Sequence, residues 1–266
     1  MTVSFAHDSH HLAEIYDRVS DLQFEGGKRL VERLGLEAGA CVLDIGCGTG
    51  RLARWIGERL GPKGRVVGID PLEERIAVAR SRGGAVRFEV GQAEDLGAFD
   101  DASFDAVCMS SVLHWVSDKA RALAEIRRVL RPGGRVAVTT LPQEMSRAST
   151  VAIVLQTLLQ RPPYADQVDR STGRRGCTST ELALLVLQSR LELVELHVTQ
   201  TVSGHESGEA FVEFAEASSF GNFLGVVPEG LRASLRAELV SAFEGRRGPD
   251  GVVVRGWGVL LVAERT

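Results

Sequence analysis

The sequence predicts an α/β fold in which a parallel sheet is covered by helices on both faces. Three observations carry this. Between residues 41 and 141, short apolar runs alternate with helical stretches of about ten residues. The run Cys41–Ile45 leads into a glycine-rich turn, Gly46-Cys47-Gly48-Thr49-Gly50, that opens a helix. The following apolar run ends on an acid, Asp70. Sheets of this kind bind ligands at the carboxyl ends of their strands, near the switch in strand order.

The elements follow from spacing and breakers. Leu12, Ile15, Tyr16, Val19, Leu22, Leu30, Val31 and Leu34 recur at helical intervals, and Gly26-Gly27 is expected to divide them between two helices. Cys41–Ile45 is a strand, Arg51–Leu60 a helix closed by Gly61-Pro62, Arg65–Ile69 a strand, and Leu72–Arg82 a helix ended by Gly83-Gly84. Val86–Val90 and Phe104–Met109 are further strands; a helix from Asp118 to Leu130 stops at Pro132-Gly133-Gly134 before the strand Arg135–Leu141. Residues 143–160 read as helical, and 161–177 as a loop rich in Pro, Arg and Gly. Thr178–Ser189 is a helix, Leu193–Val202 a strand, 207–219 and 229–244 helical, and Val252–Glu264 a last strand.

Composition narrows the function classes. Across 266 residues, 44% hydrophobic and 25% charged is ordinary for a soluble globular chain, enough for one large α/β domain or two small ones. A formal charge of −4 argues against a phosphate-dominated partner, so no nucleic acid is expected. Cys41, Cys47, Cys108 and Cys177 form no close pair, which predicts reduced thiols and a cytoplasmic protein. The polar N-terminus lacks the apolar stretch of a signal peptide, and no run is long enough to span a membrane. His7, His10 and His11 lack a carboxylate or cysteine companion in a zinc pattern and read as a solvated terminus, so no metal is expected. Oligomeric state leaves no mark on the sequence.

The glycine turn is the most specific feature. Alternate glycines allow a sharp turn and a ligand approach that meets no Cβ. Asp70, twenty residues past Gly50, can accept bonds from two ribose hydroxyls; the plainer reading is that Asp70-Pro71 caps the next helix. A dinucleotide site would show G-x-G-x-x-G with pyrophosphate at the helix start. Here the pattern is G-x-G-x-G behind Asp44, whose carboxylate would repel pyrophosphate but suits a cationic amine or sulfonium.

Val42–Ala53 (VLDIGCGTGRLA) resembles the first motif of class I S-adenosylmethionine-dependent methyltransferases of the type 11-like group. Val66–Pro71, Gly91–Leu96 (GQAEDL) and Val129–Arg135 (VLRPGGR) resemble the motifs that follow, in the same order. The resemblance implies a Rossmann-like, doubly wound, seven-stranded sheet, parallel except for an antiparallel last strand. It implies S-adenosylmethionine as cofactor and S-adenosylhomocysteine as product. Asp44, Gly46, Cys47, Gly48 and Gly50 would hold the methionine part, Asp70 and Pro71 the ribose, Gln92, Ala93 and Glu94 the adenine, with Ser110 beside them. Many relatives carry Asp where this chain has Gln92.

The division expected is one domain: N-terminal helices over 1–35 acting as a lid, a cofactor-binding core over 36–141, a helical cap insertion and helix over 142–190, and C-terminal strands and helices over 191–266. The acceptor side is less marked. Ser110-Ser111-Val112-Leu113-His114-Trp115 sets a histidine and an aromatic at the sheet's carboxyl edge. His114 serves there as a general base or substrate orienter, or else packs the next helix with Trp115. Tyr16, Arg147, Arg174 and Phe220 are candidate substrate contacts, each with a plain alternative as a core aromatic or solvated arginine. The layout is also similar, more weakly, to trans-aconitate and malonyl-thioester O-methyltransferases. The expected function is methyl transfer to a small molecule at oxygen. Carbon or nitrogen acceptors stand as alternatives; arsenite methylation and a non-catalytic cofactor-binding module rank below them.

Overall fold

Cys41–Ile45 (β1) is buried along its whole length, as a central parallel strand covered on both faces must be. It pairs in parallel with Arg65–Asp70 (β2) on one side and Phe104–Ser110 (β4) on the other. Arg87–Val90 (β3) flanks β2, and Leu130–Thr140 (β5) flanks β4. The last strand, Val252–Glu264 (β7), runs antiparallel to β5, and Glu192–His205 (β6) lies beyond it. Among the described residues the sheet is seven-stranded, ordered β3-β2-β1-β4-β5-β7-β6. The switch in strand order falls between β1 and β4, where the expected fold class places a ligand.

The computed structural model describes residues 8–168 and 176–266 of the chain, in two compact units. The first unit, Asp21–Gln143 with Arg175–Val198 and Gly258–Thr266, holds β1 to β5 and parts of β6 and β7. Strand alternation sorts its core into two layers. Leu43, Ile45, Val107 and Met109 point to one face, packed with Leu123 and Ile126 of Lys119–Val129 (α5) and with Leu182 and Val186 of Ser179–Gln188 (α7). Val42, Ala106 and Cys108 point to the other, with Leu30 and Val31 of Asp21–Glu32 (α2) and Ala53 and Ile56 of Arg51–Leu60 (α3). Glu73–Ser81 (α4) joins β2 to β3, contributing Ile76 and Ala79 to this second layer.

The second unit comprises Met1–Ser20, Glu144–Arg174 and Thr199–Trp257. Its helices are His10–Val19 (α1), Thr150–Leu159 (α6), Gly208–Ser218 (α8) and Glu229–Glu244 (α9). It has its own apolar core, in which Tyr164, Phe211, Leu235, Leu239 and Phe243 are buried. Arg18 of α1 bonds Glu213 of α8 at 2.9 Å, and Arg236 of α9 bonds Glu209 and Glu216 of α8. The Tyr164 hydroxyl donates to Glu238 Oε1 at 2.7 Å, which satisfies the one polar atom of a buried ring.

Several expectations are corrected. The first helical stretch breaks at Ser20, not at Gly26-Gly27. Gly27 lies inside α2, where a Cβ would stand 2.8 Å from Leu52 and 3.3 Å from Ser110 Oγ; the glycine allows close packing and does not end the helix. The segment 1–35 is accordingly shared, α1 falling in the helical unit and α2 in the sheet unit. The stretch 142–190 is shared in the same way, since α7 belongs with the sheet. Pro132-Gly133-Gly134 does not precede β5 but sits within it: the register with β4 jumps from Phe104↔Leu130 to Ala106↔Arg135, a bulge that absorbs the turn residues. The excursion after β5 is closed at its base, because Pro142 bridges Cys177 and Gln143 N–H donates to the Cys177 carbonyl at 3.1 Å.

Candidate active site

The turn after β1 is built by the backbone. The Gly46 and Cys47 N–H groups both donate to the Ile69 carbonyl, at 2.7 and 3.0 Å, which binds the turn to the end of β2. Gly46 has φ +70°, and a Cβ there would lie 2.2 Å from Val112, so no other residue fits. Gly50 has φ +78°, and its Cβ would meet the Phe88 ring at 2.4 Å. Asp70 locks the arrangement: Oδ2 accepts from Gly48 N–H at 2.9 Å and Oδ1 from Leu72 N–H at 3.0 Å. Asp70 thus binds the chain just ahead of the helix Glu73–Ser81, at its N-cap residue Leu72, and does not cap the helix itself.

Asp44 lies on β1 facing α2 and α3 and is 1% exposed. Cys108, its register partner on β4, donates its thiol hydrogen to Oδ1 at 3.3 Å. Oδ2 has no hydrogen-bond partner among the described residues. Burial pushes the Asp44 carboxyl up to about 7, opposed by the Cys108 thiol and reinforced by the Asp70 charge. The thiols of Cys47 and Cys108 are pushed well up by the same burial and by Asp44. All four cysteines are buried, and none is in a disulfide.

Beyond β2 and β3 opens a cleft of about 430 Å³ lined by Pro71, Val90, Gln92, Asp95, Ala98 and Phe99, within the roughly 300–1,000 Å³ usual for small ligands. Gly91 N–H donates to the Asp70 carbonyl at 3.1 Å, which joins the cleft to the strand end. Ala93 is buried beneath it. Glu94 does not line the cleft: Oε1 accepts from the N–H groups of Ser117 and Asp118, at the start of α5. Arg128 holds the far wall, donating to the carbonyls of Leu96 and Phe99 at 2.9 and 2.8 Å and to Asp101 and Glu125.

At the ends of β4 and β5 the chain tightens. Ser110 ends β4, and Ser111 takes the left-handed φ of +61°, a strained conformation that clusters at functional sites. Its N–H is held by Thr139 through both carbonyl and hydroxyl. The single helical turn Leu113–Trp115 follows. His114 is 4% exposed, with Nδ1 3.3 Å from Thr140 Oγ1 and its ring 5.1 Å from that of Trp115.

The structure thus brings Asp44, Gly46, Cys47, Gly48, Gly50, Asp70, Pro71, Gln92, Ala93, Ser110, His114 and Trp115 into the sheet unit, along the strand ends and the turns that follow them. Tyr16, Arg147 and Phe220 belong to the helical unit. Arg174 and His7 lie outside the described residues. Sequence reasoning missed Cys108, Thr140, Asp95 and Phe99. Only the cleft residues had a signal, since Asp95 lies within the GQAEDL motif and Phe99 follows it closely. Among the described residues no group of three or more His, Cys, Asp or Glu is placed to hold a metal ion. Among them too, no helix is long and apolar enough to cross a membrane.

Known proteins resemble this chain in sequence and in fold. Residues 43–138 match the family described as a methyltransferase domain. A ubiquinone/menaquinone biosynthesis C-methyltransferase of Hahella chejuensis is 40% identical over 138 residues, 48% of this chain and 55% of that protein. A malonyl-[acyl-carrier protein] O-methyltransferase of Pectobacterium atrosepticum is 37% identical over 131 residues, covering 48% and 49%. The chain therefore spans about half the length of the curated relatives it matches. In fold, it superposes with a TM-score of 0.61 on a Haloferax volcanii structure, the complex of the Trm112 methyltransferase activator with a methyltransferase. The identity is 20%, over 95% of this chain and 93% of that one. Over residues 43–138, then, the chain is similar to the methyltransferase domain family.

Proposed function

We propose that this chain transfers the methyl group of S-adenosylmethionine to an oxygen of a small-molecule acceptor. The observation that carries the donor half is Asp44: a buried carboxyl with one oxygen that has no hydrogen-bond partner among the described residues, set two residues before a turn in which a Cβ at Gly46 or Gly50 would clash. A positively charged group beside it would satisfy that oxygen, and the cofactor's methionine part carries an ammonium. The cofactor supplies a methyl group on a sulfonium, whose leaving group is neutral. The residues fit this cofactor in order: Asp44 and the turn for the methionine part, Asp70 and Pro71 for the ribose, and the cleft at Gln92, Asp95 and Phe99 for the adenine.

In-line displacement from a sulfonium needs alignment and exclusion of water more than it needs a base; proximity supplies roughly 7–11 kcal/mol in favourable cases. A base matters when the acceptor arrives protonated. On this reading His114 would be that base. Thr140 fixes its ring, and in the tautomer with the proton on Nδ1 donated to Thr140 Oγ1, Nε2 is the basic nitrogen. His114→Gln is expected to lower kcat by about 10²–10⁴ with a phenolic or amine acceptor and to spare a carboxylate acceptor. Equal rates for both acceptor types would make the histidine structural.

A second reading is methylation at carbon, favoured by the likeness to the quinone C-methyltransferase. One experiment separates the two. Purified protein is incubated with methyl-labelled cofactor and a metabolite extract, and the labelled product is identified by mass and by alkaline lability. A base-labile methyl ester or a methyl ether supports oxygen, and a carbon-bound methyl replaces it with the second reading. Cofactor binding without any transfer would sink both.

A further inference from the structure

The Asp44–Cys108 pair is a buried acid held by a buried thiol, and methyl transfer as described makes no use of the thiol. Its geometry is set by the sheet. Asp44 and Cys108 are register partners on adjacent parallel strands, on the same face, so the thiol reaches Oδ1 and no other donor reaches Oδ2 among the described residues. On the other side Gly68 of β2 is the register partner, and Cys47 Sγ occupies the space over it, 2.9 Å from where a Cβ would stand. Asp44 is therefore enclosed between two thiols.

We propose that Cys108 is a positioning residue for Asp44 and that the pair makes cofactor capture proton-linked. The thiol holds Oδ1, Oδ2 is left to meet the cofactor's ammonium, and the carboxyl proton departs as that ammonium arrives. The inference rests on the cofactor assignment above and extends it. The balance is simple: a protonated Asp44 carboxyl and an ammonium become a carboxylate–ammonium pair, and one proton passes to solvent. No bond to carbon is made or broken.

A carboxylate with a single weak thiol donor is poorly stabilised in a site that excludes water, so the neutral form is favoured until a cation enters. Burial sets the carboxyl near neutrality, where a proton can be exchanged at physiological pH. The facing charges are few and identifiable: Cys108 from β4, Cys47 from the turn, Asp70 at the end of β2, and Arg54 from α3, which acts on Cys47. Asp70 disfavours ionisation of Asp44, and the Arg54 guanidinium is committed to the carbonyls of Thr49 and Ala79.

The test is titration calorimetry with S-adenosylhomocysteine, which carries the ammonium but no sulfonium, in pairs of buffers of different ionisation enthalpy. The expected result is about one proton released per ligand bound near pH 6, falling toward none near pH 8, with affinity rising about tenfold per pH unit below the midpoint. Asp44→Asn abolishes the release. Cys108→Val shifts the midpoint upward and weakens binding about tenfold at pH 7, while Cys108→Ser, which keeps a donor, restores both. Circular dichroism confirms that each variant is folded. Binding without proton release in the unsubstituted protein overturns the proposal and leaves the cofactor assignment standing. A Cys108→Val variant identical to the parent in affinity and midpoint overturns the role of the thiol. Absence of binding at every pH removes the cofactor assignment, and the proposal with it.

Discussion

The two units differ in what they bury. Among the described residues the sheet unit encloses Asp44, Thr49, Asp70, Arg75, His114 and Thr140, while the helical unit encloses Ser20, Ser219 and the phenol of Tyr164, with no buried charged side chain. Buried acids and histidines are expensive, and a fold tolerates them where something else makes use of them. The sheet unit carries such groups at its strand ends; the helical unit packs Phe against Phe. Buried charged groups and aromatic packing are thereby separated within one chain, and substitutions should report the separation.

The largest stability effect is expected in the helical core. Phe243→Ala removes a fully buried ring that packs on Phe211 at 4.2 Å between centroids, and should destabilise by about 3–5 kcal/mol in denaturant unfolding. Affinity for S-adenosylhomocysteine should change little by comparison; a matching loss of affinity would break the distinction between the units. Next comes the pH dependence of Asp44. Its carboxyl lies at about 7 when folded against 3.8 ordinarily, so the folded state holds a proton that the unfolded chain gives up. That stabilisation is present in full below the unfolded value and is lost as pH rises through 7, by up to about 4 kcal/mol. Thermal unfolding without cofactor should therefore weaken from pH 5 to pH 8, and Asp44→Asn should flatten the slope. A parent protein with no such slope would place Asp44 among ordinary carboxylates.

Smaller effects sharpen the same contrast. Gly46→Ala forces a Cβ onto Val112 at a positive φ, and should destabilise by about 1–3 kcal/mol while abolishing cofactor binding. Here function falls further than stability. Tyr164→Phe removes the hydroxyl that donates to Glu238 and should cost about 0.5–1.5 kcal/mol, with no change in the pH profile of methyl transfer. Any activity change beyond that would give the helical unit a chemical part that its buried residues do not suggest.

The same separation explains what was legible in the sequence. The glycines of the turn announce themselves because Val112 and Phe88 leave no room for a Cβ, and Asp44 and Asp70 because acids at the ends of apolar runs are conspicuous. Cys108 and Thr140 carry no such mark. Their significance arises only when register sets Cys108 beside Asp44 and the end of β5 sets Thr140 beside His114, and register is a property of paired strands. Gly26-Gly27 misleads for a related reason. The sequence shows a helix breaker, whereas the folded chain shows a place where Leu52 presses on a helix. Glu94, within a recognisable motif, spends its carboxylate on the N–H groups of Ser117 and Asp118, a contact between segments far apart in sequence. In the helical unit the periodicity gives the helices, but partners such as Arg236 with Glu209 and Glu216 depend on how those helices pair.

The bridge between Pro142 and Cys177 has a consequence for how such a chain can vary. The excursion it closes leaves and re-enters the sheet unit at neighbouring points, with Gln143 hydrogen-bonded to Cys177. An insertion anchored in this way has its ends already together, and each doubling of its length adds only about 0.6 kcal/mol of closure entropy. Lengthening, shortening or exchanging that segment would therefore leave the turn, the cleft and the buried acid almost untouched.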